Sequence, residues 1–421
     1  MSGVTKLKRA VVMRAGGTPS VDDALMWDEE GLPWVAIADL TKGATVVRTD
    51  RRVSQAGIVA KNLPVGSPGT LLFAMYASVG AVGVLGTEGS WNQAILGIEP
   101  RPGLADARFA RYWLEHLKPD LAALTRSNTQ DNLNAEQVGN LPFPTLGVTS
   151  QRVIADYLDR ETARIDALIA AKRRMVALVD ERWQTVIYDA AAGQLVDHRS
   201  PRRKTQVPWL DALPAHWREG QLKLVAKLGT GHTPSRSHPE WWVDPAIPWI
   251  TTGEVVQMRS DRLECITDTR EQISELGMEN SSAELHPAGT VALCRTASAG
   301  YSAIMGHDMA TSQDFATWTC GPLLNPRFLL LCLRAMRQDL LGRLAMGSTH
   351  KTIYMPDLES IAVPLPPLSE QEELVEAAYI EQRPLDECAT RLGAQIDLLR
   401  ERRQAIISAG VTGQLDIPEA A

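Results

Sequence analysis

The C-terminal stretch Ser369–Leu415, SEQEELVEAAYIEQRPLDECATRLGAQIDLLRERRQAIISAGVTGQL, decides how the rest of the chain is interpreted. Four apolar residues follow at intervals of seven, which places them along one face of a helix: Leu385, Leu392, Leu399 and Ile406. Charged residues occupy many of the positions between them, so the other faces are expected to face solvent. Ser369 and the glutamates after it favour a helix start, and Gly410 and Gly413 favour its end.

A similar stretch occurs 220 residues earlier, in Ser150–Leu195. At this offset Gln151 aligns with Gln371, and the Gly-Gln-Leu that ends each stretch also aligns. The apolar series recurs with one charged residue in it, as Ile165, Lys172, Val179 and Val186. Matched polar residues and matched ends favour a duplicated helix over two unrelated amphipathic helices. Pro384 aligns with Arg164, so we expect the second helix to break or restart there.

The sequence before each helix is also repeated. Thr18-Pro19-Ser20 returns as Thr233-Pro234-Ser235, Pro33-Trp34 as Pro248-Trp249, and Gln93 as Gln313. Most residues between these positions differ, so the two copies share a framework but have different surfaces. In the first copy, short apolar runs between Gly and Pro predict strands, and 109–124 predicts a helix; the runs are 34–37, 46–47, 58–59 and 71–73.

These repeats predict an α+β chain in which two similar globular domains are each followed by a long helix. We assign domain 1 to residues 1–145, a central helix to 146–196, a short basic linker to 197–206, domain 2 to 207–365 and a C-terminal helix to 366–416. At 421 residues the chain is long enough for two or three domains. The linker is interpreted as a solvated hinge in preference to a phosphate contact.

Composition limits the class of protein. The net charge of −7 does not favour nucleic-acid binding, and five cysteines without CxxC spacing argue against zinc and disulfides. The N-terminus has no apolar core of signal-peptide length, and the apolar run 71–86 is too short and too rich in Gly and Ser to span a membrane. We therefore expect a cytoplasmic protein with no membrane partner.

The run PLPPLSEQEELV, with IDLLRERRQAIISAGVTGQLD after it, resembles the distal repeat of specificity subunits of type I restriction-modification systems. The central copy, the Thr-Pro-Ser motifs and the Pro-Trp strands fit the same family over essentially the full length. This resemblance implies two target recognition domains, each of which reads one half of a split, asymmetric DNA site. It also implies that the two helices pack antiparallel as a coiled-coil spacer, with the domains related by a pseudo-twofold axis.

The resemblance further implies partner subunits. Two methyltransferase subunits would dock on the spacer helices and methylate adenine at N6, and motor-nuclease subunits would join them. The partners would carry S-adenosylmethionine, ATP and Mg²⁺, and this chain would need no cofactor. The candidate spacer and docking residues are Ile165, Val179, Val186, Leu385, Leu392, Leu399 and Ile406.

The sequence contains no recognisable catalytic motif. Adenine methyltransferases use an Asn/Asp-Pro-Pro-aromatic loop for the flipped base, whereas the one Pro-Pro here, Pro366-Pro367, lies between leucines. A Walker lysine motif and helical His spacing for a metal are also absent from the sequence. We therefore predict no catalytic and no metal-binding residues in this chain.

DNA reading without catalysis needs Arg or Lys for phosphates and polar side chains for base edges. The candidates in domain 1 are Arg48, Arg51, Arg52, Asn92, Gln93, Arg126 and Asn128. The candidates in domain 2 are Arg236, Arg259, Arg295, Gln313, His350 and Lys351. Each of them, taken singly, is equally compatible with a solvated turn. Trp34 and Trp249 lie in apolar strands and are assigned to the core.

Two other functions remain open from the sequence. The acidic charge is compatible with a non-catalytic scaffold that assembles proteins and does not read DNA. A fused enzyme with an unrecognised motif is the other possibility, and the missing methyltransferase loop argues against it.

Overall fold

A computed structural model describes residues 3–42, 45–127, 132–196, 199–345 and 351–417. The chain divides into two compact units, and each of them combines one globular domain with part of both long helices. The first unit comprises residues 1–171 and 395–421, and the second comprises residues 172–394.

The described residues of domain 1 contain ten short strands. They are β1 (Val4–Lys6), β2 (Val11–Ala15), β3 (Trp27–Val35), β4 (Thr45–Val46), β5 (Arg51–Val53), β6 (Leu71–Ala74), β7 (Val82–Leu85), β8 (Ser90–Trp91), β9 (Ile95–Pro100) and β10 (Pro142–Pro144). A five-stranded sheet has the order β2-β9-β6-β7-β4, a three-stranded sheet has the order β5-β3-β8, and β1 pairs with β10. The apolar residues of β6 and β9 fill the core of the larger sheet.

In the same described ranges, five helices accompany these strands before the first long helix. They are α1 (Leu7–Ala10), α2 (Ile37–Lys42), α3 (Gln55–Lys61), α4 (Ala107–Ser127) and α5 (Ala135–Gly139), with a 3-10 turn at Ala24–Met26. The long helix α6 then runs over 44 residues, Val148–Ala191. Helix α4 packs on the large sheet through Phe109, Tyr112 and Leu114, all of which are buried.

Domain 2 repeats this topology and is preceded by one additional strand pair. Its strands are β11 (Arg202–Lys204), β12 (Ala212–Pro214), β13 (Arg218–Gln221), β14 (Ala226–Thr230), β15 (Ile247–Ile250), β16 (Cys265–Ile266), β17 (Glu271–Ile273), β18 (Val291–Cys294), β19 (Ser302–Met305), β20 (Ala310–Thr311), β21 (Phe315–Cys320) and β22 (Ala362–Leu365). The five-stranded order is β14-β21-β18-β19-β16, the three-stranded order is β17-β15-β20, β13 pairs with β22, and the additional pair is β11 with β12. The predicted internal repeat therefore extends to the order of every strand in both sheets.

The helical segments of the second unit are short until the last one. They are α7 (Val255–Met258), α8 (Glu275–Glu279), α9 (Pro326–Ala335), α10 (Arg337–Asp339), α11 (Met355–Glu359) and α12 (Leu368–Val411), with 3-10 turns at Leu222–Leu224, Pro239–Trp242 and Thr252–Glu254 and a π-helical turn at Leu340–Leu344. Helix α12 has 44 residues, the same length as α6.

The stretch between α6 and domain 2 is more structured than a solvated hinge. Strand β11 lies within residues 197–206, which were assigned to a basic linker. It pairs with β12 in the residues that follow. The guanidinium of Arg202 donates to the carbonyl oxygen of Ala192 at 2.9 Å, at the C-terminal end of α6. Arg203 pairs with Glu219 at 2.8 Å. Both arginines therefore have protein partners in this structure.

Two local predictions are wrong. Residues 58–59 lie in α3 and not in a strand, because Ser54 caps that helix by accepting a hydrogen bond from the amide of Gly57. Helix α12 continues through Pro384 without a break. Pro384 is exposed, so the backbone carbonyl that loses its helical partner there can be hydrated.

The predicted apolar series lies inward on both long helices. Ile165, Val186 and Leu392 are buried, and the remaining members, Val179, Leu385, Leu399 and Ile406, are partly buried. In the first unit Leu158 packs against Gly410, while Asp166 pairs with Arg403. The contacts advance along α6 as they recede along α12, so the two helices are antiparallel there. None of the described helices is both long and apolar enough to cross a membrane.

One glutamine holds each domain to its helix. Gln151 and Gln371, which align at offset 220, are both fully buried. The amide of Gln151 donates to the carbonyl oxygens of Leu104 and Leu146 and accepts from the backbone of Asp106. Gln371 makes the matching three bonds, with Leu323, Pro366 and Asn325. The duplication has therefore preserved this attachment.

The other attachments differ between the units. In the second unit a side-chain network centres on three buried residues, Asp261, Trp183 and Arg334, and extends to the partly buried Arg337 and the exposed Gln184. It is here called the Asp261 network. Trp183 donates to the backbone oxygen of Asp261 at 3.0 Å, and Gln184 donates to its carboxylate at 2.9 Å. Arg337 binds the same carboxylate through both terminal nitrogens.

In the first unit the aligned position forms partly exposed ion pairs and not such a network. Arg403, which aligns with Trp183, pairs with Glu115 at 3.1 Å and with Asp166 at 3.0 Å. Burial lowers the pKa of Arg403, but the two carboxylates outweigh burial and raise it overall. The guanidinium therefore stays charged.

Candidate nucleic-acid interface

Three loops meet at one end of the five-stranded sheet in each domain, and we call this region the sheet end. In domain 1 the amide of Gly17 donates to Trp91 O at 3.0 Å, and the amide of Met75 donates to Ala94 O at 2.8 Å. In domain 2 His232 donates to Thr311 O at 3.0 Å, and Arg295 to Asp314 O at 2.7 Å. The same backbone contacts therefore form this surface twice.

The Thr-Pro-Ser motif supplies the first of the three loops. Its threonine is partly buried, its proline buried and its serine exposed in both domains. In domain 1 the indole of Trp27 donates to Ser20 O at 2.9 Å, and that of Trp34 donates to Gly17 O at 3.0 Å. In domain 2 Trp242 makes the corresponding bond to Ser235 O at 3.3 Å. Indole hydrogen bonds thus fix this loop in each domain.

The motif threonine also meets the repeated glutamine. The Thr18 hydroxyl donates to the side-chain oxygen of Gln93, and Thr233 donates to that of Gln313 at 2.5 Å. Both glutamines are exposed. The structure therefore joins two motifs that the sequence repeated separately, about 75 to 80 residues apart.

A pair of tryptophans lies beside this loop in each domain. The ring centroids of Trp27 and Trp34 are 5.1 Å apart, and those of Trp242 and Trp249 are 5.4 Å apart, both edge to face. Trp34 and Trp249 are buried as predicted. Sequence reasoning did not identify Trp27 and Trp242, although each precedes the strand tryptophan by seven residues.

An arginine stacks on each pair but comes from a different element. In domain 1 it is Arg51 of β5, whose guanidinium lies 5.1 Å from the centre of Trp27. In domain 2 it is Arg236, which lies 3.7 Å from Trp242 and forms an ion pair with Glu271. Glu271 faces Trp249 as Arg51 faces Trp34 in the strand register. An acid in domain 2 thus occupies the place of a base in domain 1.

The turn after the central strand differs as well. Arg295 follows β18, whereas the aligned residue after β6 is the buried Met75. Arg295 is partly buried, and its Nε atom has no hydrogen-bond partner within the described part of the chain. A buried donor without a partner is costly, so this position is suited to an external acceptor such as a phosphate or a base edge.

The remaining predicted DNA contacts fall into three groups. Arg48 and Arg259 are exposed, and Arg126 lies in α4. Three residues have intramolecular partners: Arg52 donates to Gly31 O at 2.8 Å, Asn92 accepts from the Ala94 amide at 3.1 Å, and Lys351 donates to Leu341 O at 2.9 Å. Asn128 and His350 lie outside the described residues. A role in DNA binding remains a prediction for all thirteen residues.

The thiols of Cys294 and Cys320 in domain 2 fit a structural role. Burial raises the pKa of the Cys294 thiol to about 11 and that of Cys320 to about 12, so both stay protonated at neutral pH. Among the described residues no group of three His, Cys, Asp or Glu side chains is arranged to hold a metal ion.

Comparison with known proteins identifies the family. The model of the type I restriction modification DNA specificity domain matches residues 7–175 and again 214–378. The Escherichia coli type I restriction enzyme EcoBI specificity subunit is 20% identical over 395 residues, which are 92% of this chain and 81% of that protein. The E. coli EcoR124I/EcoR124II specificity subunit is 23% identical over 218 residues, covering 49% of this chain and 51% of that protein.

The fold agrees with this assignment. A solved chain, described with complex assembly and conformational transition of the type I R-M system, superposes with a TM-score of 0.67 at 17% identity and covers 98% of both chains. The two matched segments include most of both domains and the start of each long helix. The chain therefore belongs to the type I restriction-modification DNA specificity family and contains two copies of its characteristic domain.

Proposed function

We propose that this chain gives a type I restriction-modification complex its DNA sequence specificity. Each domain reads one half of a bipartite, asymmetric site, with its sheet end against the DNA. The observation that carries this proposal is one backbone framework presented twice with different side chains. Arg295 replaces Met75, and Glu271 replaces Arg51, at matching places. A shared frame supports equivalent docking, and divergent side chains support different base sequences.

The long helices are proposed to dock two methyltransferase subunits. Large apolar side chains are exposed along both helices: Leu168, Met175 and Leu178 on α6, and Ile380 and Leu398 on α12. Exposed apolar side chains on otherwise charged helices favour a protein partner. The methyltransferases would carry S-adenosylmethionine and methylate adenine at N6. Motor-nuclease subunits would bring ATP and Mg²⁺, and this chain would contribute no catalytic residue. Its cytoplasmic location is part of the same proposal.

The acidic balance fits a division of labour between subunits. With a net charge of −7, the chain is expected to bind DNA weakly by itself and with strong salt dependence. Methyltransferase subunits that close around the duplex would add phosphate contacts. We therefore expect tight, specific binding in the complex only, and tight specific binding by the isolated chain would contradict this division.

Methylome sequencing of cells with and without the gene tests the function. The expected result is the loss of one bipartite adenine-methylation motif on deletion and its return on complementation. An unchanged methylome would overturn the proposal in cells whose methyltransferase subunits are expressed. Family membership supports DNA specificity over an assembly scaffold that does not contact DNA, and a scaffold would leave the motif unchanged.

A further inference from the structure

The Thr–Gln pair is retained in two domains whose surfaces have otherwise diverged. Thr18 with Gln93 and Thr233 with Gln313 occupy the same place and make the same bond. Two domains that read different sequences share few features of their targets, and the sugar-phosphate backbone is one that every sequence has. A side-chain pair common to both domains is therefore suited to that shared feature.

The chemistry of the amide points the same way. The threonine hydroxyl donates to the glutamine oxygen and leaves both hydrogens of Nε2 available. Bidentate reading of adenine uses the amide oxygen and the amide nitrogen together. An amide whose oxygen is already engaged mainly offers donors. Phosphate oxygens are acceptors only, so they match this arrangement better than a base edge does.

The pair is held rigidly in both domains. A Cβ atom at Gly16 would lie 2.3 Å from Trp91 O, and one at Gly231 would lie 2.0 Å from Thr311 O. These glycines let the Thr-Pro-Ser loop run directly against the turn that bears the glutamine. The turn itself is fixed, because the Asn92 side chain accepts from the Ala94 amide and the Ser312 hydroxyl accepts from Asp314. The donor is thus positioned before any ligand arrives.

We propose that Gln93 and Gln313 each contact one DNA phosphate, at equivalent positions in the two half-sites, and that Thr18 and Thr233 orient them. This inference rests on the proposed DNA-specificity function and refines it. The pair would set the register of each domain on the duplex, and the divergent residues around it would read the bases. Gln93 and Gln313 then contribute affinity but no sequence preference.

The test measures binding of the full chain, in complex with its methyltransferase subunits, to duplexes that carry its methylation motif or single base-pair changes in it. Gln313→Ala and Gln93→Ala should each weaken binding to all these duplexes by the same factor, about tenfold. Gln338→Ala and Gln55→Ala, at exposed glutamines elsewhere in the same units, should leave affinity unchanged. A loss confined to the unaltered motif, with relaxed preference at one base pair, would overturn the inference.

A charge substitution and a phosphate substitution sharpen the test. Gln313→Lys should leave the preferred DNA motif unchanged. It should make the salt dependence of binding steeper, by the equivalent of about one further neutralised phosphate. Neutral methylphosphonates can replace the phosphates one at a time along each half-site. At the phosphate that Gln313 contacts, the substitution should remove the difference, so that wild type and Gln313→Ala bind the modified duplex equally. A scan that yields no such position would contradict a phosphate contact.

The threonine has a graded prediction of its own. Thr233→Ser keeps the hydroxyl and should bind DNA as wild type does. Thr233→Val keeps the shape of the side chain but removes the hydroxyl that holds the Gln313 amide. It should therefore weaken DNA binding, but by less than Gln313→Ala does. Equal binding by the valine and serine variants would remove the orienting role.

If the wild-type complex prefers no motif, the proposed function itself fails. If it prefers one and the glutamine variants change which base is preferred, only this inference fails.

Discussion

The two domains have one strand order but are attached to the helices in different ways. Gln151 and Gln371 make the same three buried hydrogen bonds. At the aligned positions Trp183 and Arg403, the second unit has the Asp261 network, whereas the first has the ion pairs of Arg403, whose side chain is 25% exposed. Duplication has kept the glutamine attachment and has replaced the attachment at the position of Trp183 and Arg403.

The difference has an energetic meaning. A partly exposed ion pair contributes little, because water screens the charges and competes for them. A buried carboxylate that binds buried guanidinium groups becomes costly to lose once one partner is removed. The attachment at this aligned position should therefore matter more for the stability of the second unit than for that of the first. The following predictions test this contrast in stability, and also the difference between Arg295 and Met75 at the two sheet ends.

The largest effect is expected for Asp261→Ala. The buried Arg334 and the partly buried Arg337 would lose their carboxylate, at a cost of about 3–5 kcal/mol in the free energy of unfolding. Urea denaturation followed by hydrogen–deuterium exchange should show the loss in peptides of residues 172–394. The matched control is Asp339→Ala, which breaks a more exposed pair with Arg343 in the same unit and should cost about 0.5 kcal/mol or less. Similar costs for both variants would contradict the contrast.

A smaller effect is expected on DNA binding from Arg295→Met. This change gives domain 2 the residue that domain 1 has, and it removes a partly buried donor at the sheet end. Affinity of the assembled complex should fall by about 1–3 kcal/mol, with relaxed preference in one half-site only. Lys223→Met, at a residue that pairs with Glu359, serves as the control and should have no effect. Loss of preference in both half-sites would argue against independent reading by the two domains.

The smallest effect is expected for Arg403→Gln. The substitution removes the cation from two partly exposed carboxylates. It should lower the free energy of unfolding by about 1 kcal/mol or less. The loss should appear in peptides of residues 1–171 and 395–421. Arg400→Gln, which breaks an exposed pair with Asp397, should be neutral. If Arg403→Gln destabilised the first unit as much as Asp261→Ala destabilises the second, the two attachments would be energetically equivalent.

Much of this fold could be predicted because duplication leaves a nearly constant offset in the sequence, 215 residues near the domain starts and 220 after them. That offset aligned Gln151 with Gln371 and Gln93 with Gln313, and these pairs have the same environments in the structure. It did not reveal that the threonine loop and the glutamine turn touch. That contact joins residues 75 to 80 positions apart, and no local pattern encodes it.

The Asp261 network was beyond the reach of sequence reasoning. Asp261 contacts Gln184, Arg334 and Arg337, which are 73 to 77 residues away. Residue 41, which aligns with Asp261, is a threonine, so the repeat gives no second example. The error at residues 58–59 is of another kind. Two β-branched residues suggested a strand, but the Ser54 cap signal preceded them and decided the structure.

The Asp261 network also determines which exchanges of domains this architecture allows. Trp183 and Gln184 on the helix are matched to an acid on domain 2, and Arg403 on the other helix is matched to Glu115 of domain 1. A domain moved from one position to the other within the chain would meet the wrong residues on the helices. A domain grafted from a relative into its own position would meet the right ones. New specificities should therefore arise by recombination that respects position, even though the two sheets are interchangeable in topology.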